Sequence, residues 1–397
     1  MTLLAPAAPS RQARRARLAV AAVFLTNGAL FANVVPRYPQ IKADLGVTNA
    51  VLGTAIAAMP LGALLAGLLA ASAIRRFGSA RVAAPGIVLL ATATFLLPFA
   101  PTWYAFAGAM FVVGALDAIV DVAQNAHGLR VQRLYGRSIV NSFHGVWSIG
   151  AVLGGLMGSA AAGLGLSLTV HLGISAALFS AVALAAFRFM LPGGEDAERA
   201  VTPSDTPAPR RAVTGTAVRM LAILGILAAC GALVEDAGSS WGALYLTGDL
   251  HTSAATAGLA FVALQVAMTL GRLTGDRVVD RFGQRTVVRA GGALAAAGMG
   301  AALLFPSVPT ALAGFALAGL GVATLVPATM QTADEIPGLA SGTGLTIVSW
   351  LLRGGFLLSP PLVGLIADQT SLRVGLLSVV LAGVLTFALG RVLNNNK

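Results

Sequence analysis

Apolar runs long enough to cross a bilayer recur about twelve times along this chain of 397 residues, and no other feature constrains its fold so strongly. A crossing needs roughly 20 mostly apolar residues to traverse a hydrocarbon core of about 30 Å. Such runs fall near Leu18 to Val35, Ala50 to Ile74, Val82 to Ala100, Trp103 to Ala126, Ile139 to Ala162 and Leu166 to Phe187. A second set falls near Met220 to Leu244, Ser253 to Leu273, Val287 to Phe305, Thr310 to Thr329, Gly342 to Ile366 and Val374 to Leu389. With 57% hydrophobic and only 10% charged residues, a soluble single domain is excluded. The runs lack the alternate-residue polarity of barrel strands. Helices are therefore predicted, because each segment must satisfy its own backbone donors and acceptors where water is absent.

Arginine placement orients the spans. Arg11, Arg14, Arg15 and Arg17 precede span 1, Arg75, Arg76 and Arg81 follow span 2, and Arg130, Arg133 and Arg137 follow span 4. Arg199, Arg210 and Arg211 follow span 6, Arg272, Arg277, Arg281, Arg285 and Arg289 cluster after span 8, and Arg391 and Lys397 close the chain. All lie on one side, which the positive-inside rule makes cytoplasmic. The other side keeps Arg37, Lys42 and Arg373, and one cytoplasmic loop breaks the pattern with Asp334 and Glu335. The net charge of +11 thus serves orientation and contact with anionic headgroups rather than nucleic acid. The arginine cluster before span 1 resembles a signal peptide. It reads instead as an uncleaved first span, because Asn27 and Gly28 interrupt the apolar run and no small-residue cleavage site follows. The single Cys230 excludes an intramolecular disulfide.

Between spans 6 and 7, residues 192–216 are rich in proline and poor in bulky apolar residues, the composition of a flexible cytoplasmic linker. It separates six spans (residues 1–191) from six (217–397). Arg76-Phe77-Gly78 matches Arg281-Phe282-Gly283 at an offset of 205 residues, and Asp44-Leu45 matches Asp249-Leu250 and Gly53 matches Gly258 at the same offset. Such register indicates a duplicated six-span unit. An even number of spans per unit gives both copies one orientation, hence parallel repeats about an axis along the membrane normal.

This plan, with the run from Gly275 through Asp276, Asp280, Arg281 and Gly283 to Arg285, resembles the major facilitator superfamily. The segments Asn141 to Gly150, Glu235 to Leu246 and Gly355 to Pro361 resemble a largely uncharacterised bacterial inner-membrane subgroup distantly akin to fucose permeases. The resemblance implies an all-α membrane protein with twelve transmembrane helices in two six-helix repeats. It also implies that the run after span 8 is a cytoplasmic gate, with Arg76, Gly78 and Asp121 on the first-half side. The alternative for this loop is an ordinary solvated charged turn, and the resemblance favours the gate. The first-half copy has Arg75 in place of Asp280 and Ala71 in place of Asp276, so a symmetric latch is not expected.

Polar residues inside the spans are few, and a charge at the bilayer centre costs about 2.5–3.5 kcal/mol even on insertion scales. Asp117 lies roughly 21 Å along span 4 from Trp103, beyond the midplane toward the cytoplasm. Asp121 and Asn125 continue its face; Asp121 lies near the boundary, where a pair with Arg75, Arg76 or Arg130 competes with a gating role. Glu235 and Asp236 lie about 22 Å along span 7, and their side chains diverge by about 100°, so one of them faces a cavity. The subgroup resemblance favours Glu235. Arg353 sits near the midplane of span 11, about 16 Å from Gly342. It either binds an anionic or carbonyl-rich substrate group or pairs permanently with Glu235 or Asp117. Trp350 one turn away, and Asn27 in span 1, are further candidates for substrate contact. Glu235 and Asp117 are candidates for proton coupling. Gly150, Gly154 and Gly158 give span 5 a small-residue packing face. The run Gly150 to Ser159 resembles a degraded antiporter motif of the superfamily, with Gly155 and Ser159 at altered positions.

These features predict a secondary active transporter of a small organic solute that rocks two bundles about a central site, with export slightly favoured over a sugar or organic-acid uptake symport. A Walker sequence for nucleotide hydrolysis is lacking, so a proton gradient is the expected energy source. A membrane enzyme is disfavoured because His127, His144, His171 and His251 show no metal-ligand spacing. A non-transporting sensor or scaffold is the alternative of another class. The expected partners are the substrate, protons and the lipid bilayer, with no cofactor, no metal and no nucleic acid, in a monomeric inner-membrane carrier. The orientation has a direct check: with both termini and the linker cytoplasmic, a Ser204→Cys protein in intact cells should resist an impermeant thiol reagent added outside and react once the membrane is permeabilised.

Overall fold

The computed structural model describes residues 10–135, 139–193, 215–336, 339 and 343–393. Among these residues there is no strand, and helices long and apolar enough to cross a membrane number twelve. We label them α1 (Arg11–Leu45), α2 (Asn49–Phe77), α3 (Ser79–Phe99), α4 (Trp103–Tyr135), α5 (Ser142–Gly163), α6 (Leu168–Phe187), α7 (Gly215–Gly248), α8 (Ala254–Phe282), α9 (Gln284–Leu304), α10 (Val308–Asp334), α11 (Thr343–Gln369) and α12 (Leu372–Val392). Residues 194–214, most of the expected linker, lie outside the described residues, as does Gly342.

Each even-numbered helix begins on a hydroxyl cap. Thr48, Thr102, Ser167, Ser253, Ser307 and Ser371 accept backbone N–H bonds from Val51, Ala105, Val170, Thr256, Thr310 and Val374 at 3.2–3.4 Å. Each bond satisfies a donor that the first helical turn leaves open. The N-terminus of α2 has a second acceptor: Asp368, near the end of α11, takes the N–H groups of Asn49 and Ala50 at 2.9 and 2.8 Å.

The first helix of each repeat is broken toward its end. In α1 the α-helix stops at Val34, a 3₁₀ turn covers Val35–Arg37, and Tyr38–Leu45 resumes; Pro36 and Pro39 remove donors there. In α7 the break is a π-helical turn over Ala237–Trp241. The repeated Arg-Phe-Gly segments take one shape. Gly78 and Gly283 have φ of 85° and 80°, a region that needs glycine, and in each copy the guanidinium lies 5.4 Å over the ring of the following Phe. The charged run after span 8, expected to be a loop, is helical as far as Phe282. Asp276, Asp280 and Arg281 are therefore exposed on the last turns of α8, and the turn itself is Gly283 alone.

The described residues gather into two compact units: those of Met1–Val34, Leu61–Gly154 and Leu166–Ser204, and those of Val35–Pro60, Gly155–Gly165 and Asp205–Lys397. In the first unit α1 and α5 approach to backbone contact. A Cβ added at Gly28 would meet the Trp147 carbonyl oxygen at 2.3 Å, at Gly150 that of Leu25 at 2.1 Å, and at Gly154 that of Ala29 at 2.3 Å. Helices in lipid gain nothing from burying apolar surface against each other, so close packing of this kind is what associates them. Overpacking costs roughly 1–3 kcal/mol, and here the obstacle is backbone, which cannot rotate aside. Gly154→Val should therefore lower the thermal midpoint in detergent. Gly108→Ala in α4, where nothing lies within 4 Å of the added Cβ, should leave it unchanged or raise it slightly.

Candidate functional site

The approach of α1 and α5 sets one buried amide between two partners. Asn27 is 2% exposed. Its Oδ1 accepts the indole N–H of Trp147 on α5 at 2.8 Å, and its Nδ2 donates to Oδ1 of Asp117 on α4 at 2.7 Å. Indole is only a donor and a carboxylate only an acceptor, so the amide has one satisfying orientation. Two residues singled out separately in the sequence are thus joined. Trp147, which the sequence reading placed only in a subgroup segment, completes the triad. Its signal was available: an indole N–H inside a bilayer requires an acceptor, and few exist there. Phe31, one turn along α1 from Asn27, stacks on Trp147 with centroids 6.5 Å apart.

Asp121, one turn beyond Asp117, is held within its own helix. It accepts from the side-chain amides of Gln124 at 3.2 Å and Asn125 at 3.1 Å. Among the described residues Asp121 is not seen paired with Arg75, Arg76 or Arg130. Arg75 donates to Ser72 at 2.9 Å, and Arg130 is drawn to the carbonyl of Pro192 at 2.9 Å. Amides three and four residues away on the same helix face reach Asp121 with less side-chain ordering than an arginine from another helix.

In the second unit Glu235 lies 3.4 Å from Arg272 of α8, a long ion pair with both side chains partly exposed. Glu235 is thus turned to Arg272 and not to Arg353, whose side chain is exposed. Trp350, three residues earlier on the same face of α11, is 47% exposed. Asp236, next to Glu235, is buried immediately before the π turn, and its Oδ1 accepts from Ser240 Oγ at 2.6 Å. Arg285 donates to the Leu393 carbonyl at 2.8 Å, and Arg289 to that of Phe387 at 3.0 Å, so both bind the end of α12. Asp276 and Asp280 make no ion pair among the described residues.

At the ends of α1 and α7, a cavity of about 680 Å³ is lined by Lys42, Asp249 and His251 among others. Burial pushes the Asp249 carboxyl above its usual range, opposed by His251 and Arg373. A cluster of three or more side chains suited to a metal ion is absent among the described residues.

A polar triad held across three membrane helices, in a twice-repeated six-helix plan, invites comparison with known proteins. The family model of the Major Facilitator Superfamily matches residues 20–235 and again 221–394. This chain belongs to the Major Facilitator Superfamily. Membrane protein MosC of Rhizobium meliloti is 32% identical over 367 residues, spanning 92% of this chain and 87% of its own. An uncharacterised MFS-type transporter of Yersinia pestis is 29% identical, spanning 88% of each. Among solved structures, the nucleoside transporter NupG superposes with a TM-score of 0.73 at 16% identity, covering 96% of this chain and 98% of that one. A bacterial homologue of the human lysosomal transporter Spinster, in an inward-facing and unoccupied conformation, gives 0.74 at 16% identity and covers 97% and 98%. The fold is that of the superfamily, and the chain is a multi-pass membrane transporter.

The triad makes a measurable claim of its own. Asn27→Ala would strip a partner from both Trp147 and Asp117, and an unmet buried polar group costs about 1–3 kcal/mol. The thermal midpoint should fall. In a double-mutant cycle, Trp147→Phe should recover part of the loss, since the orphaned indole N–H is then gone; strict additivity would show that Asn27 and Trp147 act separately.

Proposed function

We propose that this member of the superfamily is a secondary active carrier of a small polar organic solute, driven by the proton gradient across a bacterial inner membrane. The observation that carries this reading is the Asn27 triad: polar groups kept inside membrane helices at a desolvation cost mark the route of a substrate or ion. Its amide and indole are groups with which a solute rich in hydroxyl, carbonyl or carboxylate functions exchanges hydrogen bonds, so Asn27 is a binding residue that trades internal partners for the substrate. Arg353, with its side chain exposed, supplies a second donor for an anionic or carbonyl group, and Trp350 on the same helix face is available to stack.

In this scheme residues 1–191 and 217–397 are the two rocking bundles and 192–216 their cytoplasmic tether. Glu235 and Asp117 carry coupled protons. Protonating Glu235 removes the charge that holds Arg272, so proton binding changes the contact between α7 and α8. Asp276, Asp280, Arg281, Gly283 and Arg285, with Arg76, Gly78 and Asp121, form the cytoplasmic gate, and the exposed carboxylates of α8 meet basic partners only when that side closes. The likeness of Gly150 to Ser159 to an antiporter motif favours export over uptake.

A thermal-shift screen of purified protein against organic acids, sugars and hydrophobic drugs identifies a ligand for flux assays. With that ligand in proteoliposomes, Glu235→Gln should abolish accumulation driven by a pH gradient and keep substrate exchange, because a permanently neutral side chain mimics the protonated state. Arg353→Ala should lose the thermal shift itself. Full gradient-driven accumulation by Glu235→Gln removes that residue from coupling, and absence of flux for every ligand that shifts the midpoint favours a sensor or scaffold.

A further inference from the structure

The π-helical turn of α7 is preceded by a buried carboxyl that the scheme above does not use. Asp236 is 5% exposed. Oδ1 accepts from Ser240, whereas Oδ2 has no hydrogen-bond partner. Ser359 of α11 comes close enough to interact with the carboxyl, and its buried Oγ is likewise without a partner. Trp241, wholly buried at the end of the same turn, leaves its indole N–H unmet as well. Orphaned polar atoms are rare in folded proteins, and an orphaned carboxyl oxygen near an orphaned hydroxyl requires a cause.

Among the described residues no cation acts on this carboxyl; Arg37, buried beside Tyr38, donates to Gln40 at 3.1 Å. The titratable and charged neighbours are Glu235 on the same helix, itself turned to Arg272, and Tyr38 of α1, which is 4% exposed. α8 meets the turn through Leu264, which packs on Gly238 and bears no charge. α11 brings Ser359; its nearest cation, Arg353, is six residues earlier in the chain, roughly 9 Å along the helix. An ionised Asp236 would therefore be a buried negative charge beside a second carboxylate, with serine hydroxyls and no cation to offset it, an arrangement that costs several kcal/mol.

One proton removes the difficulty. We infer that Asp236 binds a proton in this conformation, its acid O–H on Oδ2 donating to the Ser359 hydroxyl, which gives the carrier a proton site on α7 separate from the Glu235–Arg272 pair. The carboxylate takes the proton from water and returns it to water when the turn opens. The local backbone has a means of opening. A π turn carries one residue more than the α-helix it interrupts and shifts carbonyls out of register; here Ser239 Oγ donates to the displaced carbonyls of Glu235 and Asp236 at 3.2 and 3.1 Å. Returning the turn to α-helix rotates Asp236 relative to α11 and separates it from Ser359.

This inference rests on the reading of the chain as a proton-driven carrier, yet its test needs no substrate. Infrared spectra of the reconstituted full-length protein at neutral pH should contain a protonated-carboxyl C=O stretch that Asp236→Asn removes and Glu235→Gln retains. Should Asp236→Asn fail to fold, Ser359→Ala decides the matter, because loss of the acceptor should move the band to higher frequency. A spectrum with only ionised carboxylate stretches, a band that survives Asp236→Asn, or a band indifferent to Ser359→Ala overturns the assignment. Flux without the band leaves the carrier reading standing and ends this one, and the band without flux does the reverse.

Discussion

The backbone contact between α1 and α5 is the constraint on which the first unit's chemistry depends. Gly28, Gly150 and Gly154 each face a carbonyl oxygen at a distance that no Cβ tolerates. Without that approach the indole of Trp147 would stand a side chain's width further from Asn27, and the amide would lose the acceptor role that fixes its other end on Asp117. Small residues here determine where polar ones can act. A bilayer supplies no hydrophobic pressure between helices, so fit of this kind takes the place that burial holds in a soluble core.

The two repeats keep a common frame and diverge in their polar content. The Arg-Phe-Gly turns after α2 and α8 agree in backbone shape and in the cation lying over the ring. The broken first helices differ. Prolines interrupt α1 with a 3₁₀ turn, whereas α7 is interrupted by a π turn that follows an acid. Asn27 in one unit and Glu235 in the other lie on these first helices, so the breaks and the membrane-embedded polar groups share an element. A helix already interrupted gives up fewer backbone bonds when it bends than a continuous one does.

The spans were legible because desolvation of the backbone dictates them, and each predicted run lies within or close to an observed helix. Their ends were less legible. Hydropathy reports where lipid stops, not where the helix stops, so α4 and α8 run on through charged residues to Tyr135 and Phe282. The hydroxyl caps of the even-numbered helices were readable in retrospect, since Thr48 and Ser253, and Thr102 and Ser307, stand 205 residues apart like the other repeat matches. Asn27 and Asp117 could be singled out as polar groups in apolar runs. Their contact could not, because it joins residues 90 apart and depends on the rotation of each helix about its axis. Arg272 was read as an orienting charge at the membrane edge. Its reach to Glu235 follows from the helical continuation of α8, which composition does not disclose.

The carboxylate of Asp368 on the N-terminus of α2 spans 319 residues of sequence. A ribosome adds roughly 5–20 residues per second, so α2 enters the membrane on the order of 15–60 s before that acceptor exists. Through this interval Thr48 is the cap that α2 has, and the bond to Asp368 closes only when nearly all the helices have been inserted. Maturation of this end of the protein is therefore late and dependent on the last part of the chain, and an assembly stalled before α11 would present an incompletely capped α2 to the quality-control machinery of the membrane.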